Sequence, residues 1–201
     1  MTESENTSIP TTDGDIVGDG DIILLIGLLP SPVELRVSSL VLTDTSPVFK
    51  AMLGPHFAEG QQKGTAEQPK RIPCPEDGAS GLTTLCALRH NTTARVTHPD
   101  YSYAEAANRL LELAVVADKY QCTRAVELQV EAFFSRFLDR RITNALQMEN
   151  VAGLAAAAYL FNNTDYFYTF TKRLVLDFVG PYSSLRCDAS GEVLSPQVLR
   201  E

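Results

Sequence analysis

The sequence predicts an α+β protein in which a small hairpin-based sheet precedes a stack of helices. Three observations point to this. Two neighbouring runs near the N-terminus have strand character, one continuously apolar and one alternating. The apolar spacing then changes to three and four residues, most clearly from residue 104 onward. The order of elements, strands first and helices last, belongs to folds whose helices gather beside a small sheet. The chain has 201 residues, 44% hydrophobic and 21% charged, so it can bury roughly two-thirds of the surface an unfolded chain exposes.

Residues 1–19 are polar, carry Asp13, Asp15 and Asp19 among glycines, and have no useful periodicity, so a flexible acidic tail is expected there. Residues 21–26, Asp-Ile-Ile-Leu-Leu-Ile, form an apolar run suited to a strand covered on both faces, ending at Gly27 and the Pro30-Ser31-Pro32 turn. Residues 33–37, Val-Glu-Leu-Arg-Val, alternate with period two and complete a hairpin. Ser38 and Ser39 can cap a short helix over residues 40–43. Ser46-Pro47 sets up another, with serine at the cap and proline first in the helix, and Val48, Phe49, Met52 and Leu53 give it an apolar face. Residues 60–70 hold no large apolar side chain and predict an exposed, mobile loop. Residues 71–75 contain two prolines and suit only the edge of a sheet.

Leu82, Leu85, Cys86 and Leu88 fit a helix ending near His90, and residues 91–101 are polar and turn-like. Over 104–120 the residues Leu110, Leu111, Leu113, Ala114, Ala117 and Tyr120 make the clearest helical stripe in the chain. Thr123 is expected to cap a further helix whose Val126, Leu128, Val130, Phe133, Phe134 and Phe137 lie nearly all round it, the mark of a central helix. Helices over 151–161 and 166–179 follow, then a polar tail from Ser183. The aromatic set Tyr159, Phe161, Tyr166, Phe167, Tyr168 and Phe170 reads as core between two helices, with a binding stripe as the other reading.

The formal net charge is -8 and the pI near 4.9, so phosphate backbones and anionic lipid are repelled and neither nucleic acid nor membrane is an expected partner. The first residues are acidic where a signal peptide is basic, and the first apolar run is too short to span a bilayer. Cys74, Cys86, Cys122 and Cys187 form no C-x-x-C pair; reduced thiols in cytoplasm or nucleus are expected, and the sequons at Asn6, Asn91 and Asn162 read as chance matches. A calcium loop starting at Asp13 would need a polar ligand at Val17 and a glutamate at Leu24. Cys86 and His90, with His98 beyond, lack a fourth zinc ligand. With no nucleophile elbow, phosphate loop or dinucleotide fingerprint, the expectation is a non-enzyme with no cofactor, metal or small-molecule substrate.

Four segments carry a family likeness: G-D-I-I-L-L-I-G from Gly20, L-V-L-T-D-T-S-P-V-F-K-A-M-L from Leu40, I-P-C-P-E-D from Ile72 and L-L-E-L-A-V-V-A-D-K-Y-Q-C from Leu110. In their order and spacing, residues 20–137 resemble the BTB/POZ domain, in the form common among uncharacterised fungal proteins. The resemblance implies a small sheet flanked by helical hairpins, with residues 138–182 as a C-terminal helical extension and 183–201 as a polar tail. It also implies binding through backbone and apolar surface to a protein partner, itself included, with Asp21, Leu40, Val41, Phe49 and Met52 at the interface, Phe49 and Met52 reading equally well as core. The alternative it offers is a substrate adaptor for a cullin-RING ubiquitin ligase. Three departures bear on these expectations. Ser38 and Ser39 stand where many relatives have a histidine and a basic residue, residues 1–19 offer no apolar segment to swap, and residues 91–101 lack the glutamate associated with cullin binding.

Overall fold

A computed structural model describes residues 15–28, 31–61, 63–92 and 101–181, together with residue 185. The protein is a mixed α+β structure, and it divides into two compact units, Met1–Ala79 and Ser80–Glu201. That boundary falls inside the span 20–137 read from the sequence as one domain.

The first unit is built on a three-stranded sheet. Strands β1 (Ile22–Ile26) and β2 (Val33–Val37) pair antiparallel, with Ile22 opposite Val37 and Leu24 opposite Leu35. Gly27 leaves β1 with φ +87, a conformation that glycine adopts without strain. The expected turn at Pro30 lies outside the described residues. Strand β3 (Lys70–Cys74) runs parallel to β1 on its other side, giving the order β2-β1-β3. The Lys70 N–H donates to the Asp21 carbonyl (2.9 Å) and the Gly27 N–H to the Cys74 carbonyl (3.1 Å). Lys70, Ile72 and Cys74 therefore turn their backbone groups toward β1, and Arg71 and Pro73 turn theirs outward. The N–H that Pro73 lacks would have faced the open edge, which is why proline fits there.

Strand β1 is not covered equally on both faces as its apolar run suggested. Ile22, Leu24 and Ile26 are buried, whereas Ile23 and Leu25 are only half-buried. On that second face Arg71, opposite Ile23, forms an ion pair with Glu34, opposite Leu25, so the charged side chains reach across the central strand.

Two short helices follow β2: α1 (Ser39–Thr45) and α2 (Pro47–Met52). As the Ser-Pro pair implied, the Ser46 hydroxyl oxygen accepts from the Phe49 N–H (3.0 Å) and Pro47 opens the helix. The segment expected to be a mobile loop is tied down at several points. Helix α3 (Ala58–Gln61) enters it, the Lys70 Nζ donates to the Ala58 and Glu59 carbonyls, and the Arg36 guanidinium donates to the Ala66 carbonyl. Gly64 packs so closely on Asp21 and Lys70 backbone that a Cβ would collide with both. The expected tail also ends earlier than Asp19: Ile16 is buried, and the Ile16 and Val17 N–H groups donate to the Arg36 carbonyl (3.0 and 3.3 Å). Residues 1–14 lie outside the described part.

The second unit is helical: α4 (Ala79–Arg89), α5 (Tyr103–Lys119), α6 (Glu127–Ser135), α7 (Arg140–Ala145), α8 (Met148–Leu160) and α9 (Thr164–Asp177). Helix α5 starts with a capping box, in which the Ser102 hydroxyl accepts from the Glu105 N–H and the Glu105 carboxylate from the Ser102 N–H. Helix α8 packs against both α5 and α9, and its residues 151–158 are all buried; the run Ala155 to Ala158 lets the neighbouring helices come close. The central helix is thus α8, not α6. Leu128 on α6 is 83% exposed, while Val126, Val130, Phe134 and Phe137 are buried, so this segment is one-sided. Thr123 opens a 3-10 helix (Thr123–Val126) and does not cap α6, and α7 was not anticipated. Of the turn-like stretch 91–101, residues 93–100 lie outside the described part, as does the tail from Ser183 apart from Leu185, which is buried.

Candidate interaction surface

The five residues singled out by the family likeness all lie in the first unit, and the fold gives them different duties. Leu40, on the first turn of α1, is 76% exposed. Leu42, two positions on, is buried, so the helix is rooted in the core on one face and offers an isobutyl group to solvent on another. Val41 and Met52 are half-buried. Phe49 is 1% exposed and sits in the core, so of its two readings the core one holds and the interface one is corrected: the Ser46 cap turns α2 so that Phe49 points inward.

Asp21, half-buried, is tied within its own unit. Its carboxylate accepts from the Ser39 N–H (2.7 Å) and from the Ser39 hydroxyl (2.5 Å). Ser38 occupies the cap position of α1 but makes no side-chain cap bond. Asp21, delivered by the start of β1, supplies the acceptor from elsewhere in the chain, and its negative charge meets the unsatisfied N–H groups of the first turn. Ser39, by its N–H and its hydroxyl, is therefore the partner of this acid. Beside them is a cleft of about 290 Å³ lined by Asp21, Ser39, Leu40, Leu53, Lys63 and Lys70. Leu40 lines it together with these charged side chains.

Elsewhere the groups with chemical potential have structural partners. The Cys86 thiol is buried, and His90 Nδ1 lies 2.8 Å from the Cys86 carbonyl oxygen; His98 is outside the described residues. Among the described residues no three His, Cys, Asp or Glu side chains gather in a way that could hold a metal ion. Leu24, where a calcium loop would need a glutamate, is fully buried in β1, and Asp13 lies outside the described part. Burial pushes the Cys122 thiol up to about 11, against a smaller opposing pull from Arg89. Burial also pushes the Tyr166 phenol up to about 12, helped by its hydrogen bond to Glu131 (2.8 Å).

The aromatic set divides. Tyr166 stacks on Phe134 (centroids 4.7 Å), with Phe161 and Phe170 beside them at 6.3 and 6.1 Å from Phe134, and this part is core. Tyr159, on α8, and Tyr168, on α9, are exposed, and Val175 and Leu176 are exposed on α9 as well.

No family model matches the chain, and no curated protein matches it. Among the described residues, no helix is long and apolar enough to cross a membrane.

Proposed function

We propose that the chain is a non-catalytic protein-interaction module of BTB/POZ type, which offers the α1 face around Leu40 and Val41 to a protein partner. The observation that carries the reading is Leu40, exposed beside a cleft of mixed polar and apolar lining, on a helix whose opposite face is anchored in the core. The element order supports it as well: hairpin, three short helices, a parallel edge strand, then helices, with the family-like segments falling on β1, on α1 and α2, on β3 and on α5. In an interface of this kind a few apolar anchors carry most of the binding free energy.

The test is quantitative affinity capture from cells that express the protein, comparing the natural chain with Leu40→Asp. The substitution is on the surface, so circular dichroism should be unchanged. A partner retained by the natural chain and depleted at least about tenfold by the variant is the expected result, since losing one good apolar anchor has roughly that effect. Equal retention of every captured protein would refute the assignment. A cullin among the depleted partners would select the adaptor role.

A further inference from the structure

The second unit holds a cleft of about 300 Å³, where the 3-10 helix and the start of α6 meet the turn between α8 and α9. That volume lies at the small end of ligand pockets and suits a molecule of amino-acid size. Its apolar lining is the buried Val130 and the half-buried Phe161, whose ring stands edge-on to Phe134 at 6.3 Å. Asn162 lines it as well, with φ 55 where α8 ends, and the next N–H, that of Asn163, returns to the Ala158 carbonyl (2.8 Å), so this wall is a fixed turn. Two opposite charges complete the lining, Arg124 and Glu127. They stand three residues apart across the junction of the 3-10 helix and α6, a spacing that puts both side chains on one face. Among the described residues neither forms an ion pair or a side-chain hydrogen bond. The neighbouring acid Glu131 is already engaged, its carboxylate accepting from the Tyr166 hydroxyl (2.8 Å) and from the Asn163 side-chain amide (3.3 Å).

We infer that this cleft binds a free amino acid with a large apolar side chain, its carboxylate on Arg124, its ammonium on Glu127 and its side chain on Val130 and Phe161. The lining selects that class. A free amino acid carries two opposite charges on groups attached to one carbon, as Arg124 and Glu127 are neighbours on one face. A residue inside a peptide carries neither of those charges, and a chain terminus carries only one. A zwitterion also approaches a chain of net charge -8 without net repulsion, which a free carboxylic acid does not. The Phe161 ring favours an aromatic or branched aliphatic side chain through its face or edge. Few atoms are in contact and the charges remain open to water, so a dissociation constant on the order of 1 mM follows. The site belongs to the second unit alone and does not depend on the proposed α1 surface.

The experiment is a titration of the whole chain, labelled with nitrogen-15, with L-phenylalanine and L-leucine from about 0.1 to 10 mM, followed by backbone amide shifts in nuclear magnetic resonance. Glycine, N-acetyl-L-phenylalanine and L-phenylalanine amide serve as probes that lack the side chain, the ammonium and the carboxylate in turn. The expected result is saturable shifts over residues 123–130 and 161–163 with at least one of the two parent amino acids, and binding of the three altered probes at least about tenfold weaker. Arg124→Gln and Glu127→Gln, both on exposed side chains, should each weaken binding at least about fivefold with helix content unchanged. The inference is overturned if neither parent amino acid gives a saturable shift at these residues. It is overturned as well if the acetylated or amidated probe binds as tightly as L-phenylalanine, or if both substitutions leave binding untouched.

Discussion

Asp21 gives the sharpest separation between a residue that builds the fold and one that meets a partner. Replacing it with alanine removes two acceptors at once, leaving the Ser39 N–H and hydroxyl without the carboxylate at 2.7 and 2.5 Å. Loss of a helix cap costs about 0.5–2 kcal/mol, and a hydrogen bond to a charged group contributes about 1.5–3 kcal/mol when its partner is buried. Asp21 is only half-buried, so water can approach the freed Ser39 groups and offset part of the loss. A net destabilisation of about 1.5 kcal/mol is expected, which for a chain of this size lowers the melting temperature by roughly 3–6 °C. Asp21→Asn keeps an acceptor for the Ser39 N–H and should cost about a third as much. Thermal melts followed by circular dichroism measure the global effect, and hydrogen exchange resolved to the peptide covering α1 measures the local one. An Asp21→Ala protein with unaltered melting and unaltered exchange over α1 would refute the capping role. So would an Asp21→Asn variant that loses a partner while its stability is untouched.

Two further predictions concern the second unit. Alanine at Gly81 would ordinarily stabilise a helix by about 1 kcal/mol, but its Cβ would lie 2.5 Å from the Glu112 carbonyl oxygen and 3.0 Å from Val116 Cγ2. Backbone must move to admit it, so Gly81→Ala should lose about 1–2 kcal/mol in urea unfolding, and a raised midpoint would show that α4 and α5 are not in close approach. The Tyr166 phenol holds its proton more tightly when folded, pushed up to about 12 by burial, than in the unfolded chain near its ordinary value of 10. Its contribution to stability is complete below about pH 10 and is lost as pH rises from there toward 12; an ultraviolet titration should show one late-ionising tyrosine that Tyr166→Phe removes, and a titration unchanged by that substitution would refute the assignment.

The strands and most helices were legible because their signals are local. Period-two alternation over 33–37, the Ser46-Pro47 pair and the three-and-four spacing over 104–120 reappear as β2, α2 and α5. The errors lie where a neighbour decides. Residues 60–70 lack large apolar side chains, yet they are held by Lys70 and by the Arg36 guanidinium, and a polar anchor from another strand leaves no trace in the segment's own composition. Helix α6 looked central from its apolar count, while α8, rich in alanine, takes that place because small side chains admit neighbours on several faces. Within the candidate site, Leu40 could be picked out but not distinguished from Phe49, since both are large apolar residues on adjacent short helices and only packing decides which is inward.

From the residues alone came the α+β class, the acidic charge and the position of the hairpin, because hydrophobic period and net charge are sums over neighbours in the chain. Only the tertiary structure could show that Asp21 closes the end of α1, that Phe49 is core, and that Leu128, counted into a central helix, is exposed. Those are relations between groups far apart in sequence, or between a surface and what happens to cover it, and they come into being only when the chain has packed.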